Sequence, residues 1–119
     1  MENGSTKIID INNAEHYSWG NNCDGWHLLK NDRLSIIQER MPSKTLETLH
    51  LHSNSQQFFF IIKGIATFEI ENTLYEIKEK QGIHVNSQLK HRIINNTNED
   101  LHFIVISEPK SHGDRINIQ

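Results

Sequence analysis

The chain has 119 residues, 23% of them charged, and a formal charge of −3. That length suits one domain with a real core, and the charge leaves no general basic surface, so a nucleic-acid partner is not expected. No apolar run approaches the ~20 residues of a spanning helix, so no membrane partner is expected either.

In chain order, residues 1–6 are polar and are expected to be disordered, leaving 7–119 as a single domain. Met1–Lys7 has no apolar core of a secretory signal, and the single Cys23 forms no internal disulfide; both point to a reducing cytoplasm. Cys23 also lacks a visible activating partner, so no reaction is assigned to it. Lys7–Ile11 alternates and is expected to be a short strand, whereas 12–25, rich in Asn, Gly and Asp, reads as a loop carrying Tyr17 and Trp19. Trp26–Leu29 and Leu34–Met41 read as strands around an Asn31-Asp32 turn, and Thr45–His52 as a further extended segment.

Gln57–Ile62 and Ile65–Glu71 read as a hairpin about Lys63-Gly64, with Phe59 paired to Phe68 and Gln57 to Ile70. Gln57, Phe59, Ile61, Ala66, Phe68 and Ile70 then share the inner face. Phe58, Phe60 and Ile62 lie on the outer face, and a strand apolar on both sides needs a cover there too. That cover is either the N-terminal strands or a second copy of the chain. Thr73–Lys78, Gly82–Val85, His91–Asn95, Leu101–Ser107 and Arg115–Ile118 complete a series of short strands with no helical periodicity, which means a sandwich or barrel.

The 8 histidines are the compositional oddity. His50 and His52, two apart on an extended segment, face the same way. With an amide oxygen from Gln57 and the distant His91 they form a metal-ligand set of a kind suited to Zn, Cu, Fe or Ni.

His50, His52, Gln57 and Gly64 fall in step with the first motif of the cupin superfamily, in which Glu usually stands at the position of Gln57. His91 and Asn95 fall in step with the second motif. Lys44, Lys80 and Gln88 stand where the two motifs carry glycine, and Asn86 where the second carries proline. The chain thus resembles cupins over roughly residues 34–107.

The resemblance implies an all-β, single-domain cupin barrel (a double-stranded β-helix, or jelly roll). It also implies one divalent transition metal (Zn, Ni, Fe or Mn) on His50, His52, Gln57 and His91, a pocket lined by Phe59, Ile61, Phe68 and Ile93, and a homodimer. A neutral ligand set leaves the ion its full charge. That favours Lewis-acid chemistry of isomerase, cyclase or lyase type on a small polar or anionic metabolite over a dioxygenase reaction. The alternative is a non-catalytic module that binds a metal or metabolite. For an acid or base, His84, His102, Tyr75 and Glu108 are nominally available. Tyr17, Trp19 and Trp26 either cap the barrel mouth or pack on the sheet.

Overall fold

The computed structural model describes residues 6–118; the N-terminal segment expected to be disordered lies, but for Thr6, outside them. Among the described residues there is no helix, and none therefore long and apolar enough to cross a membrane. Twelve strands follow one another: β1 Glu15–Trp19, β2 Cys23–Lys30, β3 Ser35–Met41, β4 Thr45–Leu46, β5 His50–His52, β6 Gln56–Lys63, β7 Ala66–Ile70, β8 Thr73–Ile77, β9 Gly82–Val85, β10 His91–Asn95, β11 Leu101–Glu108 and β12 Arg115–Asn117.

They form two antiparallel sheets that face one another. One has the order β1-β2-β3-β11-β6-β9. The other runs β12-β5-β10-β7-β8, with β4 also paired to β10. Side-chain alternation fixes which residues enter the space between them. Ile37 and Met41, Phe59 and Ile61, Ala66 and Phe68, and Leu101, Phe103 and Val105 are all buried, and the residues between them are less so. The rings of Phe59, Phe68 and Phe103 meet at centroid distances of 4.9 and 6.0 Å. Each such buried ring contributes about 2–3 kcal/mol through burial.

The fold corrects three expectations from the sequence. Lys7–Ile11 is not a strand. The stretch 12–25 is not one loop: Tyr17 and Trp19 lie on β1, which folds back onto β2. Its polar residues alternate with Tyr and Trp, a pattern an edge strand tolerates. The expected hairpin of Gln57–Ile62 with Ile65–Glu71 is the third. β6 pairs with β11 and β9 in one sheet, while β7 pairs with β10 and β8 in the other. Lys63–Ile65, with Gly64 at φ 95°, therefore crosses between sheets. Phe59 and Phe68 still meet, but ring to ring across the core instead of side by side along a ladder.

The interior changes character along its length. Leu101 pairs with Met41 near one end, Val105 with Ile37 and Phe59 in the middle, and Ser107 with Ser35 and Gln57 at the other end. The polar end is where the histidines lie. At the β10–β11 turn, Asn95 is fully buried and fully used. Its Nδ2 donates to the carbonyls of Met41, Pro42 and Glu99, and its Oδ1 accepts from the Thr97 N–H and hydroxyl. Lys44, Lys80 and Gln88 hold left-handed backbone conformations at φ 60°, 67° and 70°.

Candidate metal centre and its cavity

Two neighbouring strands deliver the three imidazoles. His50 and His52 alternate inward from β5, with Leu51 between them half-buried, and His91 of β10 stands opposite His50 in the ladder. All three are buried, at 2, 5 and 1% exposure. Ring centroids lie 4.3 Å apart for His50 and His91, 5.1 Å for His50 and His52, and 5.8 Å for His52 and His91. Each ring offers one nitrogen, and the three lie within 4.8 Å of one another.

The backbone sets two of the tautomers. Nδ1 of His50 is 2.7 Å from the Thr48 carbonyl oxygen, and Nδ1 of His91 is 2.9 Å from that of Leu89. A carbonyl only accepts, so each Nδ1 carries the proton and each Nε2 the lone pair. A backbone carbonyl on the far nitrogen is a usual outer support of a metal-binding imidazole. Burial pushes His50 and His52 down to about 4, with the neighbouring imidazoles adding to the effect at His52, and burial lowers His91 as well. All three rings are neutral at pH 7 and competent to ligate.

Several of the polar atoms at this end lack partners. Nδ1 of His52, Nε2 of His91 and Oε1 of Gln57 are buried and meet no hydrogen-bonding group, while Nε2 of Gln57 donates to the Ser107 hydroxyl at 3.0 Å. An unsatisfied buried polar atom costs about 1–3 kcal/mol. Imidazole nitrogens and an amide oxygen, with no thiolate, make a set that fits a divalent transition metal.

A cavity of about 290 Å³ opens between the sheets at this end. Tyr17, Trp19, Ile37, Phe59 and Val105 supply apolar wall, and His50, His52, Gln57, Glu39, Glu47 and Arg115 supply polar groups. Of the residues expected in the pocket, Phe59 lines it, while Ile61, Phe68 and Ile93 belong to the closed core. His91, the ladder partner of His50, is not part of the wall.

The residues nominally available as acid or base lie elsewhere. His84 and Glu108 are exposed and hydrogen-bonded to Gln56, Tyr75 is 43% exposed, and His102 alternates outward on β11. Trp26 packs beside His16 at a centroid distance of 5.4 Å, whereas Tyr17 and Trp19 are in the cavity.

Glu39, Glu47 and Arg115 escaped the sequence reading. Glu39 had a signal: on β3 it is in step with Ile37 and Met41, so a carboxyl sits on the inward phase of the strand. It is pushed up to about 8, chiefly by burial and then by the charge of Glu47, against the opposing effects of its Tyr17 hydrogen bond and of Arg115. Burial also raises Glu47, although Arg115 lies 3.4 Å from its Oε2. Burial raises the Cys23 thiol too, in keeping with an unreactive core position.

Residues 37–107 match the Cupin domain family. An uncharacterized protein of Methanocaldococcus jannaschii is 26% identical over 89 residues, 74% of this chain and 71% of that protein. Among solved structures, the polyketide cyclase RemF from Streptomyces resistomycificus superposes with a TM-score of 0.82 at 10% identity, covering 97% of this chain and 87% of that one. An RmlC-like cupin from Shewanella frigidimarina superposes with a TM-score of 0.81 at 13% identity, covering 92% and 96%. At such identities the superpositions establish the fold. With the domain match spanning more than half of the sequence, and two antiparallel sheets enclosing the three imidazoles, the chain belongs to the cupin family.

Proposed function

We propose that the protein is a metal-dependent enzyme acting on a small polar or anionic metabolite by isomerase-, cyclase- or lyase-type chemistry. The observation that carries this reading is the group of buried atoms without partners, Nδ1 of His52, Nε2 of His91 and Oε1 of Gln57, at the polar end of the interior. His50, His52, His91 and Gln57 would hold the ion, which when bound supplies a Lewis acid. The chain's own residues do the rest. The four ligands are neutral, Glu47 is paired with Arg115, and Glu39 is pushed up to about 8, so at neutral pH the cavity around a bound cation favours an anion. Phe59, Ile37 and Val105 exclude water from one side of it. The superposition with a polyketide cyclase is in keeping with ring-forming or proton-moving chemistry, by analogy of fold.

Gln57→Glu tests the preference for an anion directly. It places a negative charge in the ligand set, and a like charge at ~4 Å in a partly shielded site opposes an anion by up to about 4 kcal/mol. Oxalate binding to the zinc-loaded variant, followed by calorimetry, is expected to be at least ~10-fold weaker than to the zinc-loaded wild type, a difference of about 1.4 kcal/mol. Equal or tighter binding would sink the preference.

We also infer a homodimer. β1 extends the edge of its sheet and does not cover the outer face, so Phe58 and Phe60 remain 41 and 36% exposed beside the half-buried Ile104 and Ile106. A second copy would cover this strip. Sedimentation should find a dimer that Phe60→Glu converts to monomer; a monomeric wild type would dispose of the idea.

A further inference from the structure

Tyr17, Gly25 and Glu39 stand in one row across three strands, Tyr17 paired with Gly25 and Gly25 with Glu39. The Tyr17 ring lies along that row, over Gly25. A Cβ at position 25 would fall among the ring atoms Cζ and Cε1 and the hydroxyl oxygen of Tyr17. Gly25 has no left-handed backbone to explain its glycine; the close approach of the ring explains it. The Tyr17 hydroxyl reaches across the row and donates to Oε2 of Glu39 at 2.9 Å. Among the described residues no donor meets Oε1 of Glu39, and both residues line the cavity that holds His50, His52 and Gln57.

We propose that Glu39 is the proton-transfer residue of this cavity, working at the carbon next to the carbonyl of a small 2-oxo acid, with Tyr17 and Gly25 as its positioning residues. The inference rests on the metal-dependent reading above and gives it a substrate class. A volume of about 290 Å³ suits an acid of a few carbons. The Arg115 guanidinium gives one N–H each to Asn117, Glu47 and Thr48, which leaves two of its five donors for a substrate carboxylate.

The step balances. The Glu39 carboxylate takes the proton from carbon. The C–H pair becomes the enolate double bond, and the carbonyl π pair moves onto oxygen. Returning a proton from Oε1 to carbon restores the keto acid and the carboxylate. Tyr17 keeps its hydrogen bond to Oε2 throughout and so steadies the ionised form. Of the other titratable and charged groups around Glu39, Glu47 opposes its ionisation and Arg115 favours it, and His112 shares the cavity wall.

The test uses the full chain and pyruvate as probe. Zinc content, the carboxyl ¹³C titration of Glu39 in metal-free protein, and deuterium uptake into the pyruvate methyl group by zinc-loaded protein are measured for wild type, Glu39→Gln, Tyr17→Phe and Gly25→Ala. All four are expected to bind zinc alike. Glu39→Gln should slow deuterium uptake by at least ~100-fold, a typical contribution of general acid–base catalysis. Tyr17→Phe, which preserves the packing of the ring, should move the pH profile of uptake and the Glu39 titration upward together, and Gly25→Ala should follow it by displacing the hydroxyl.

Undiminished uptake in Glu39→Gln, no uptake by zinc-loaded wild type, or a Glu39 that titrates in the ordinary carboxylate range overturns the inference. Failure of wild type to bind zinc would instead defeat the metal-dependent reading. The titration would then decide alone whether the Tyr17–Glu39 pair holds its proton as proposed.

Discussion

His91→Ala is expected to abolish stoichiometric metal binding while leaving a folded protein. The ring is 1% exposed, its Nδ1 proton is committed to the Leu89 carbonyl, and its Nε2 faces no protein partner. Removing an outer support of a ligand already weakens metal sites 10- to 100-fold. Removing the ligand itself should therefore weaken zinc binding by at least ~100-fold. The alanine leaves a cavity on β10 and takes its donor from the Leu89 carbonyl, a cost of about 1–3 kcal/mol, but leaves the β10–β7 ladder in place, so secondary structure should persist. Elemental analysis after chelation, dialysis and reloading with zinc measures the outcome, with circular dichroism as the check on folding. His84→Ala, on an exposed ring outside the cavity, should load as wild type does. A folded His91→Ala protein that keeps a full equivalent of zinc would rule out the three-imidazole site.

The second large effect is on stability. Glu39 is held protonated to about 8, well above its ordinary value of 4.5. Between those values the unfolded chain releases the proton and the folded chain keeps it, so stability falls as pH rises through that window and is fully present only below it. Across the window each pH unit removes about 1.36 kcal/mol, which puts the loss on the order of a few kcal/mol. Glu39→Gln has no such proton to hold, and its amide oxygen still accepts from Tyr17.

Urea unfolding of metal-free protein should therefore find the variant more stable than wild type near pH 8 and little different near pH 4. The lowered imidazoles act in the opposite sense, their contribution being lost as pH falls from 6.5 through about 4, but they are common to both proteins and cancel. A stability difference that does not change with pH would show that Glu39 ionises normally in the fold.

The strand pattern and the common face of His50 and His52 were legible because they rest on short-range rules, whereas the barrel and the place of Gln57 and His91 beside them came with the resemblance to cupins. A period of two placed His50 with His52, and Phe59 with Ile61 and Gln57, on the correct face without any knowledge of the partners. Pairing was not legible in the same way. The apolar runs of β6 and β7, joined by the two residues Gly64 and Ile65, satisfy a hairpin and a crossing between sheets equally well. Only the competition from β10 and β11 for the same edges decides between them. Glu39 was hidden for a different reason. Its neighbours in sequence, Gln38 and Arg40, make it look like part of a solvated face, and its meaning comes from Tyr17, 22 residues away on an edge strand whose sequence reads as a loop. Glu47 and Arg115 likewise acquire their roles from each other, 68 residues apart.

At Lys44, Lys80 and Gln88 the main chain turns left-handed with side chains where the motifs carry glycine. Such a conformation costs an ordinary residue about 1–2 kcal/mol, but a side chain also has reach. The Lys44 ammonium donates to the Asn96 carbonyl at 3.2 Å, and the Gln88 amide extends to the Ser53 carbonyl at 3.5 Å. Glycine at these corners would relax the torsions and keep the backbone pairings, such as the Gln88 N–H to the His52 carbonyl at 2.6 Å, but would lose these side-chain bonds. Lysine and glutamine thus add a second, side-chain link between the loop after β3 and the β10–β11 turn, and between the segment before β10 and the loop that follows His52.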